Sequence, residues 1–153
     1  MSLIPERWTP EHDDDVGAAA PEGGRLRLSG YRCVRTPASV CRVEVELQDG
    51  AGNVTSGTAE GALAFSGELR IAAEATLRAL ESARPGLPRF DLLGVKTLRA
   101  FDANVVIVAV ATQRLGVPTR LLGCVQSAGD LDRAAVLAVL DATNRVSALG
   151  PDR

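Results

Sequence analysis

The chain has 153 residues, a length typical of a single domain that can bury a sizeable hydrophobic core. Its formal net charge is −2, and the lack of a lysine- and arginine-rich cluster excludes the basic surface of a typical nucleic-acid-binding protein. Aromatic residues make up only 3% of the sequence, which also excludes a stacking platform for single strands. No apolar run approaches the roughly 20 residues that a membrane-spanning helix requires.

Cysteine use and the N-terminal composition indicate the compartment. Cys33, Cys41 and Cys124 are odd in number and lack a CxxC spacing, which argues against a disulfide framework and against a zinc site. The N-terminus lacks the cationic start and the apolar core of a secretory signal peptide. We therefore expect a reduced, cytoplasmic protein with no cofactor, no nucleic-acid partner and no membrane contact.

Residues 1–25 have the composition of a flexible tail. Residues 11–15, Glu-His-Asp-Asp-Asp, are acidic, and residues 17–24 are rich in Gly and Ala. His12 and its neighbouring carboxylates offer metal ligands, although a solvated tail is the favoured interpretation. Trp8 is unusual in such a segment and is expected to pack against the domain or against a partner.

The remaining residues, 26–149, contain a duplication, which decides the architecture. Residues 28–35 align with residues 92–99, because Leu, Gly, a basic residue, an aliphatic residue and Arg recur at the same spacing. The correspondence continues after a small change of offset. The further pairs are Val43 with Val105, Val45 with Ile107, Gly61 with Gly123, Gly67 with Gly129, Leu69 with Leu131, Ala72 with Ala134 and Ala73 with Ala135. We predict one domain made of two units, 26–85 and 90–149.

Unit one is predicted to contain three antiparallel strands followed by a helix. A first strand is expected over 26–36, and residues 43–47 alternate apolar residues with glutamate, which is typical of a strand with one buried face. The turn signal Asp49-Gly50 leads into a third strand over 54–63. The helix begins near Gly67, and its apolar stripe predicts that the opposite face is exposed to water.

The same order of elements is predicted for unit two. Strands are expected over 92–101, 105–111 and 120–125, and a helix capped by Asp130 extends to about Ser147. Residues 105–111 are almost all apolar, as expected of a strand that is buried on both faces. The predicted fold is therefore α+β, with two tandem β-β-β-α units related by an internal pseudo-twofold axis.

The helix of unit two is apolar on two sides. One stripe consists mostly of alanine, whereas Val136, Leu137 and Leu140 lie on the opposite side. A helix that is apolar on both sides is buried on both sides. These three residues are therefore predicted to pack in a central helical layer or to form a dimer interface.

This order of elements resembles a known family domain, especially where the second helix closes with Ala-Thr-Asn-Arg-Val at 142–146. The family is the C-terminal regulatory domain of 2-isopropylmalate synthase, which citramalate synthase shares. Its units end their third strand in a Gly-rich turn that opens a helix, and the candidates here are Glu60-Gly61 and Gly123 followed by residues 127–130. The resemblance covers residues 26–149.

The resemblance implies a three-layer β/α/β domain that pairs into homodimers. In the synthases this domain binds the end-product amino acid near the dimer contact. The catalytic barrel of the synthases has no counterpart in this sequence. The family's Gly-Asn-Gly-Pro turn before the first helix is replaced by residues 61–67.

The sequence contains no recognisable catalytic constellation. His12 is the only histidine and lies in the predicted tail, which excludes a Ser–His–Asp or Cys–His arrangement within the domain. Walker A and dinucleotide-binding motifs are also absent. Turn and cap roles are favoured for Asp102 and Asp130, and an enzyme of unknown type would need both of them in one cleft with Arg133.

A ligand site is more plausible, because the start of each helix offers free backbone N–H groups that attract carboxylate or phosphate. Arg133 or Arg145 could supply the counter-charge for an anion, and each could equally pair with a local acid, as the i,i+4 spacing of Asp141 and Arg145 indicates. Glu68 and Asp130, however, favour ordinary capping at these two helix starts. The candidate ligand-binding residues are Gly61, Ser66, Gly67, Ser127, Gly129, Asp130 and Arg133, and no metal site is predicted.

We therefore expect a non-catalytic domain that senses a small anionic or amino-acid ligand. It would act as a homodimer on a partner protein such as an enzyme. Two alternatives remain open at this point. One is a purely structural dimerisation module without a ligand, and the other is an enzyme of unknown type.

Overall fold

The computed structural model describes residues 24–63 and 67–148, which form two β-β-β-α units in tandem. Trp8, His12, Ser66 and the side chain of Arg145 lie outside the described residues. The elements are β1 (Arg27–Arg35), β2 (Val40–Gln48), β3 (Val54–Ala62), α1 (Gly67–Ala83), β4 (Phe90–Ala100), β5 (Ala103–Arg114), β6 (Val117–Ser127) and α2 (Leu131–Ala148). The predicted α+β class and the duplicated unit are confirmed.

Each unit folds its three strands into an antiparallel meander, with the orders β1-β2-β3 and β4-β5-β6. The predicted hairpin at Asp49 is present, because its Oδ1 accepts the N–H groups of Ala51 and Asn53, both at 2.9 Å. The β4–β5 turn lies at Phe101 and Asp102, which both have positive φ angles. This turn is tighter than the predicted one, since strand β5 already begins at Ala103.

The first strand of each unit has an irregularity at the same place. The register of β1 against β2 shifts between Leu28 and Gly30, and that of β4 against β5 shifts between Leu92 and Gly94. These are equivalent positions of the aligned segments. The duplication therefore extends to the local irregularity of the strand.

The predicted equivalence of the later strands was wrong by a small shift. Val45 on β2 pairs with Gly57, whereas Val108 on β5 pairs with Gly123. Gly57 and Gly123 are equivalent, because each lies against the backbone of its own helix. Gly123 therefore corresponds to Gly57 and not to the predicted Gly61, and Val108 corresponds to Val45 in place of the predicted Ile107. The hairpins of the two units differ in length, so an ungapped alignment cannot follow them.

The two helices pack side by side between the two sheets. Helix α1 contacts β2 and β3 of its own sheet and β4 of the other, and α2 contacts β5 and β6 of its own sheet and β1 of the other. Each helix thus contacts the first strand of the other unit, and these contacts are symmetric between the units, as a pseudo-twofold axis requires. The domain therefore has three layers, and its helical layer reaches the surface at two edges.

One continuous core fills the space between the layers. Fully buried valines and leucines on the inner faces of the central strands contact alanine-rich helices. Two glycines allow this close packing, because a Cβ at Gly57 would lie 2.2 Å from the Ala79 nitrogen and one at Gly123 would lie 1.8 Å from the Ala138 oxygen. Each helix therefore packs directly on the backbone of its sheet.

Strand β5 is not buried on both faces, and that prediction was wrong. Val106, Val108 and Val110 are fully buried, but the residues between them on the outer face are only half-buried. An apolar run has the same appearance whether its second face is buried or merely apolar.

Among the described residues, neither helix combines the length and the apolar character that crossing a bilayer would require.

Candidate functional site

A groove runs over each helix where the helical layer reaches the surface. The α1 groove lies between α1 and the start of β4, with a volume of about 230 Å³, and the α2 groove lies between the start of β1, β6 and α2, with a volume of about 590 Å³. The residues that line the α2 groove are Arg25, Leu26, Arg27, Leu28, Cys124, Val125, Arg133, Leu137, Leu140, Asp141 and Asn144. The duplication thus supplies two matched surfaces with different side chains.

The charges of the α1 groove are neutralised within the groove or bound to backbone. The contacts are Arg70 with Glu74 at 3.3 Å, Arg89 with Asp91 at 3.5 Å, and Arg78 donating to the Thr58 carbonyl at 2.7 Å. Glu74 has arginines four residues away on both sides, and it pairs with Arg70 because the Arg78 guanidinium reaches strand β3 instead. No arginine of this groove is left for an external anion.

The α2 groove differs in its charge balance. Arg25, Arg27 and Arg133 are exposed along it, and none of the three forms an ion pair with another described residue. Its apolar lining includes Leu28 and Leu137, which are partly buried against the core. A basic rim around an apolar floor suits an anion that carries an apolar group.

The α2 groove also offers hydrogen-bond acceptors. Asp141 Oδ2 accepts the backbone N–H of Cys124 at 3.1 Å. Asn144 Oδ1 is buried and has no hydrogen-bond partner among the described residues. A buried acceptor without a donor costs free energy, on the order of 1–3 kcal/mol. A ligand that donates an N–H group here would remove that cost.

Of the residues predicted from the sequence, Arg133, Leu137 and Leu140 are brought together in the α2 groove. Val136 is fully buried and Leu140 is 4% exposed within the single chain. The apolar side of α2 that suggested a dimer interface is therefore largely covered by the chain's own sheets.

The predicted residues at the start of α2 make local hydrogen bonds. Asp130 Oδ1 accepts the N–H of Arg133 at 3.1 Å, which is the predicted N-cap contact. Ser127 Oγ accepts the N–H of Gly129, also at 3.1 Å. These oxygens therefore complete the end of the helix rather than line the α2 groove.

The predicted glycines of unit one lie elsewhere. Gly61 sits on β3 against the side chain of Ile71, and Gly67 lies against the carbonyl of Ala62. Asp102 is exposed in the β4–β5 turn, and neither it nor Asp130 lines the groove that contains Arg133. The cleft required for the enzyme hypothesis is therefore not formed in the α2 groove.

A second polar group, which we term the thiol–carboxylate cluster, consists of Cys33, Cys41, Glu68 and Asp132. The two Sγ atoms are 2.9 Å apart, and the Cys33 thiol donates to Glu68 Oε1 at 3.4 Å. Arg35 forms an ion pair with the other oxygen of Glu68 at 2.5 Å. The ligand atoms of Cys33, Cys41 and Glu68 all lie within 4.8 Å of one another.

The strand register explains how the two thiols meet. Cys33 pairs with Val43 and Arg35 pairs with Cys41, so the cysteines are diagonal neighbours on adjacent strands. Glu68 comes from the first turn of α1, and Asp132 comes from the first turn of α2. The cluster therefore draws on four elements of both units, which no local sequence spacing could reveal.

The acidic groups of the cluster shift one another's pKa values. Burial, followed by a hydrogen bond with Glu68, raises the pKa of Asp132 to about 7. The same hydrogen bond is the main reason that the pKa of Glu68 is lowered. Burial, followed by contacts with Cys41 and Glu68, raises the pKa of the Cys33 thiol to about 12.

Tyr31 lies beside this cluster. Burial, followed by the negative charge of Asp132, holds the pKa of the Tyr31 hydroxyl well above its usual range. The buried hydroxyl oxygen makes no hydrogen bond of standard geometry with the described residues, but Asp132 lies close enough to interact with it.

No protein-family model matches the sequence, and no curated protein matches it either. The similarity of residues 26–149 to the synthase regulatory domain therefore stays a prediction from the sequence.

Proposed function

We propose that this chain is a non-catalytic, small-molecule-sensing regulatory domain whose ligand is an amino acid with an apolar side chain. The proposal is carried by the α2 groove, where three arginines that form no ion pair with another described residue lie around an apolar floor. The matched α1 groove has its own acids beside its arginines. The two grooves belong to one duplicated fold, so a general property of the fold does not account for this difference in the pairing of their arginines.

The lining of the α2 groove complements each part of such a ligand. A guanidinium of Arg133 or its neighbours would bind the carboxylate, because arginine presents paired donors that match both oxygens. Leu28 and Leu137 would contact the apolar side chain. Asp141 would accept from the ammonium group, and so would Asn144 Oδ1, which no described residue hydrogen-bonds.

The position of the groove suggests how binding would regulate. Its walls come from β1 of unit one and from β6 and α2 of unit two. A ligand that contacts both units stabilises the relative arrangement in which it binds best, and it can shift an equilibrium only by that difference in affinity. We propose that a partner protein, such as an enzyme, responds to this shift.

We also propose that the chain acts as a homodimer, through the outer face of the β4–β5–β6 sheet. By strand alternation and register this face carries Leu98, Val105, Ile107, Ala109 and Leu122, with Lys96 beside Ile107 and Arg120 beside Ala111. The matched face of the other sheet carries Arg42, Glu44 and Glu46 on its central strand. An apolar sheet face is stable in water when a second copy covers it.

The same apolar face supports the second candidate function, a structural dimerisation module without a ligand. That alternative requires the dimer but gives the arginines of the α2 groove no role. The two functions are therefore separated by ligand binding and not by oligomeric state.

The test of the ligand proposal is calorimetric titration of the full chain with leucine, isoleucine and valine. The matching 2-keto acids lack the ammonium group, and the matching amines lack the carboxylate, so each reports on one half of the site. We expect the amino acid to bind more tightly than either analogue. We also expect Arg133→Gln to weaken binding about tenfold or more, because a charge-assisted hydrogen bond contributes on the order of 1.5–3 kcal/mol.

The matched control is Arg70→Gln, since Arg70 lies on the exposed face of α1 and already pairs with Glu74. This variant should bind the amino acid as the unmodified chain does. If both variants bind the amino acid equally weakly, the loss of binding is caused by the change in overall charge and not by the loss of a specific contact. An absence of binding by all three amino acids would leave the structural module as the better function.

A further inference from the structure

We propose that Cys33, Cys41 and Glu68 form a binding site for a thiophilic divalent cation, with Zn²⁺ the best match. This site is independent of the ligand proposed for the α2 groove. Cys33 lies on β1, Cys41 on β2 and Glu68 on α1, so a bound ion would link the sheet of unit one to its helix.

The distances are close to those that a tetrahedral zinc site needs. With Zn–S bonds of about 2.3 Å and Zn–O bonds of about 2.0 Å, ideal geometry separates two sulfurs by about 3.8 Å and a sulfur and an oxygen by about 3.5 Å. The observed distance from Cys33 Sγ to Glu68 Oε1 is 3.4 Å. The two sulfurs are 2.9 Å apart, so a rotation of one thiol must add about 0.9 Å. The Cys41 sulfur and the Glu68 oxygen lie within 4.8 Å of each other and must come to about 3.5 Å.

The donor set selects the class of ion. Two thiolates with one carboxylate suit a borderline-soft cation such as Zn²⁺, whereas Mg²⁺ and Ca²⁺ prefer all-oxygen sites. Binding replaces the two thiol protons with two metal–sulfur bonds and releases both protons to solvent. No oxidant or reductant takes part in this step.

Neighbouring groups hold the carboxylate in place. Arg35 pairs with the oxygen of Glu68 that does not face Cys33, so Glu68 could ligate the ion through Oε1 while Oε2 stays bound to the guanidinium. Such outer contacts are a regular feature of protein metal sites. Asp132 also hydrogen-bonds Glu68, and a water molecule would take the fourth position of the ion.

The lack of a CxxC spacing, which argued against zinc in the sequence, does not exclude this site. Antiparallel pairing of β1 with β2 brings Cys33 to Cys41 across the hairpin. Short spacings such as CxxC arise where a single turn supplies both ligands. Here the sheet supplies the proximity instead.

The test is a titration of the full chain with Co²⁺, after reduction with a phosphine and removal of metals by a chelating resin. A thiol assay first establishes three free thiols per chain. Co²⁺ bound by thiolates absorbs strongly in the near ultraviolet through sulfur-to-metal charge transfer. We expect this band to saturate at one Co²⁺ per chain and to disappear when Zn²⁺ displaces the cobalt.

Four variants locate the site. Cys33→Ser and Cys41→Ser should each weaken binding on the order of 100-fold, and Glu68→Gln on the order of tenfold or more. Cys124→Ser is the matched control, because Cys124 is an exposed cysteine on β6 outside the cluster, and its titration should match that of the unmodified chain. Circular dichroism verifies that each variant is folded. If a serine variant does not fold, Glu68→Gln still tests the site, because it keeps both thiols.

Three outcomes would overturn the proposal. One is a titration that shows no charge-transfer band at equimolar Co²⁺. This result would also be obtained if Co²⁺ bound only to the imidazole and carboxylates of residues 11–15. Another is an undiminished band in the Cys33→Ser/Cys41→Ser double variant. The last is a reduced chain whose assay detects only one thiol, because a persistent disulfide would leave no thiolate ligands.

Discussion

Two glycines set the distance between each helix and its sheet. Gly57 lies against the backbone of Ala75 and Ala79, and Gly123 lies against that of Ala138 and Ala142. The alanine-rich helices and these glycines therefore form one packing solution that occurs twice. A side chain on either strand would have to displace a helix backbone, which is rigid.

We predict that Gly123→Ala lowers the free energy of unfolding by about 3 kcal/mol, the upper end of the usual range for overpacking. The reason is that the new Cβ would lie 1.8 Å from the Ala138 oxygen. Gly50→Ala is the control, because no atom lies within 4 Å of the position that its new methyl group would occupy, and it should change stability by less than about 0.5 kcal/mol. Urea denaturation measures both, and equal values would refute this account of the packing.

At pH values below about 7, the raised pKa of Asp132 and the lowered pKa of Glu68 place a protonated carboxyl beside an ionised one at the starts of the two helices. The pKa of Asp132 is raised to about 7 from an unfolded value of about 3.9. A group with a raised folded pKa stabilises the fold fully at low pH, and this contribution is lost as pH rises through the folded value. Glu68, with its lowered pKa, acts in the opposite sense only at acidic pH.

We therefore predict that the unmodified chain loses stability relative to Asp132→Asn as the pH rises from about 4 to about 8. Asparagine has the shape of the carboxyl but does not ionise. Chemical denaturation at a series of pH values, with a chelator and a reductant present, measures the difference. A difference that does not vary with pH would mean that Asp132 stays ionised in the folded protein.

At the level of elements, local chemistry explains most of what the sequence could predict. The Asp49 hairpin and the Asp130 cap depend on hydrogen bonds within four residues, so their residue types are sufficient evidence. The start of α1 at Gly67 and the alternation of β2 follow in the same way. These elements needed no knowledge of the other unit.

The two sites could not be predicted so completely, since their residues are distant in sequence. Arg133 was identified as a counter-charge, but Arg25 and Arg27 join it only because β1 lies beside α2. The thiol–carboxylate cluster was missed because Cys33 and Glu68 meet through strand register and helix packing. Pairing register was the missing information in both cases.

At the scale of the whole molecule, the duplicated units differ most on their outer sheet faces. The central strand β2 presents charged residues to the outside, whereas β5 presents Val105 and Ile107. The duplication preserves the inner faces, which both units need for the shared core. The outer faces are free to differ, and only the second has an apolar surface that a second copy could cover.

We predict that the chain is a dimer and that Leu122→Lys makes it monomeric. Leu122 pairs with Ala109 on the apolar face, and the residue is 64% exposed, so lysine is harmless to the single chain but would be buried in the interface. Ser56→Lys is the matched control, because Ser56 pairs with Glu46 at the equivalent position of the other sheet. Size-exclusion chromatography with light scattering gives the masses. This face is excluded as the contact if the Leu122→Lys variant is still a dimer, or if Ser56→Lys dissociates the dimer as readily. The comparison is decisive because the two lysines occupy equivalent positions of one duplicated fold, and only a specific interface distinguishes between them.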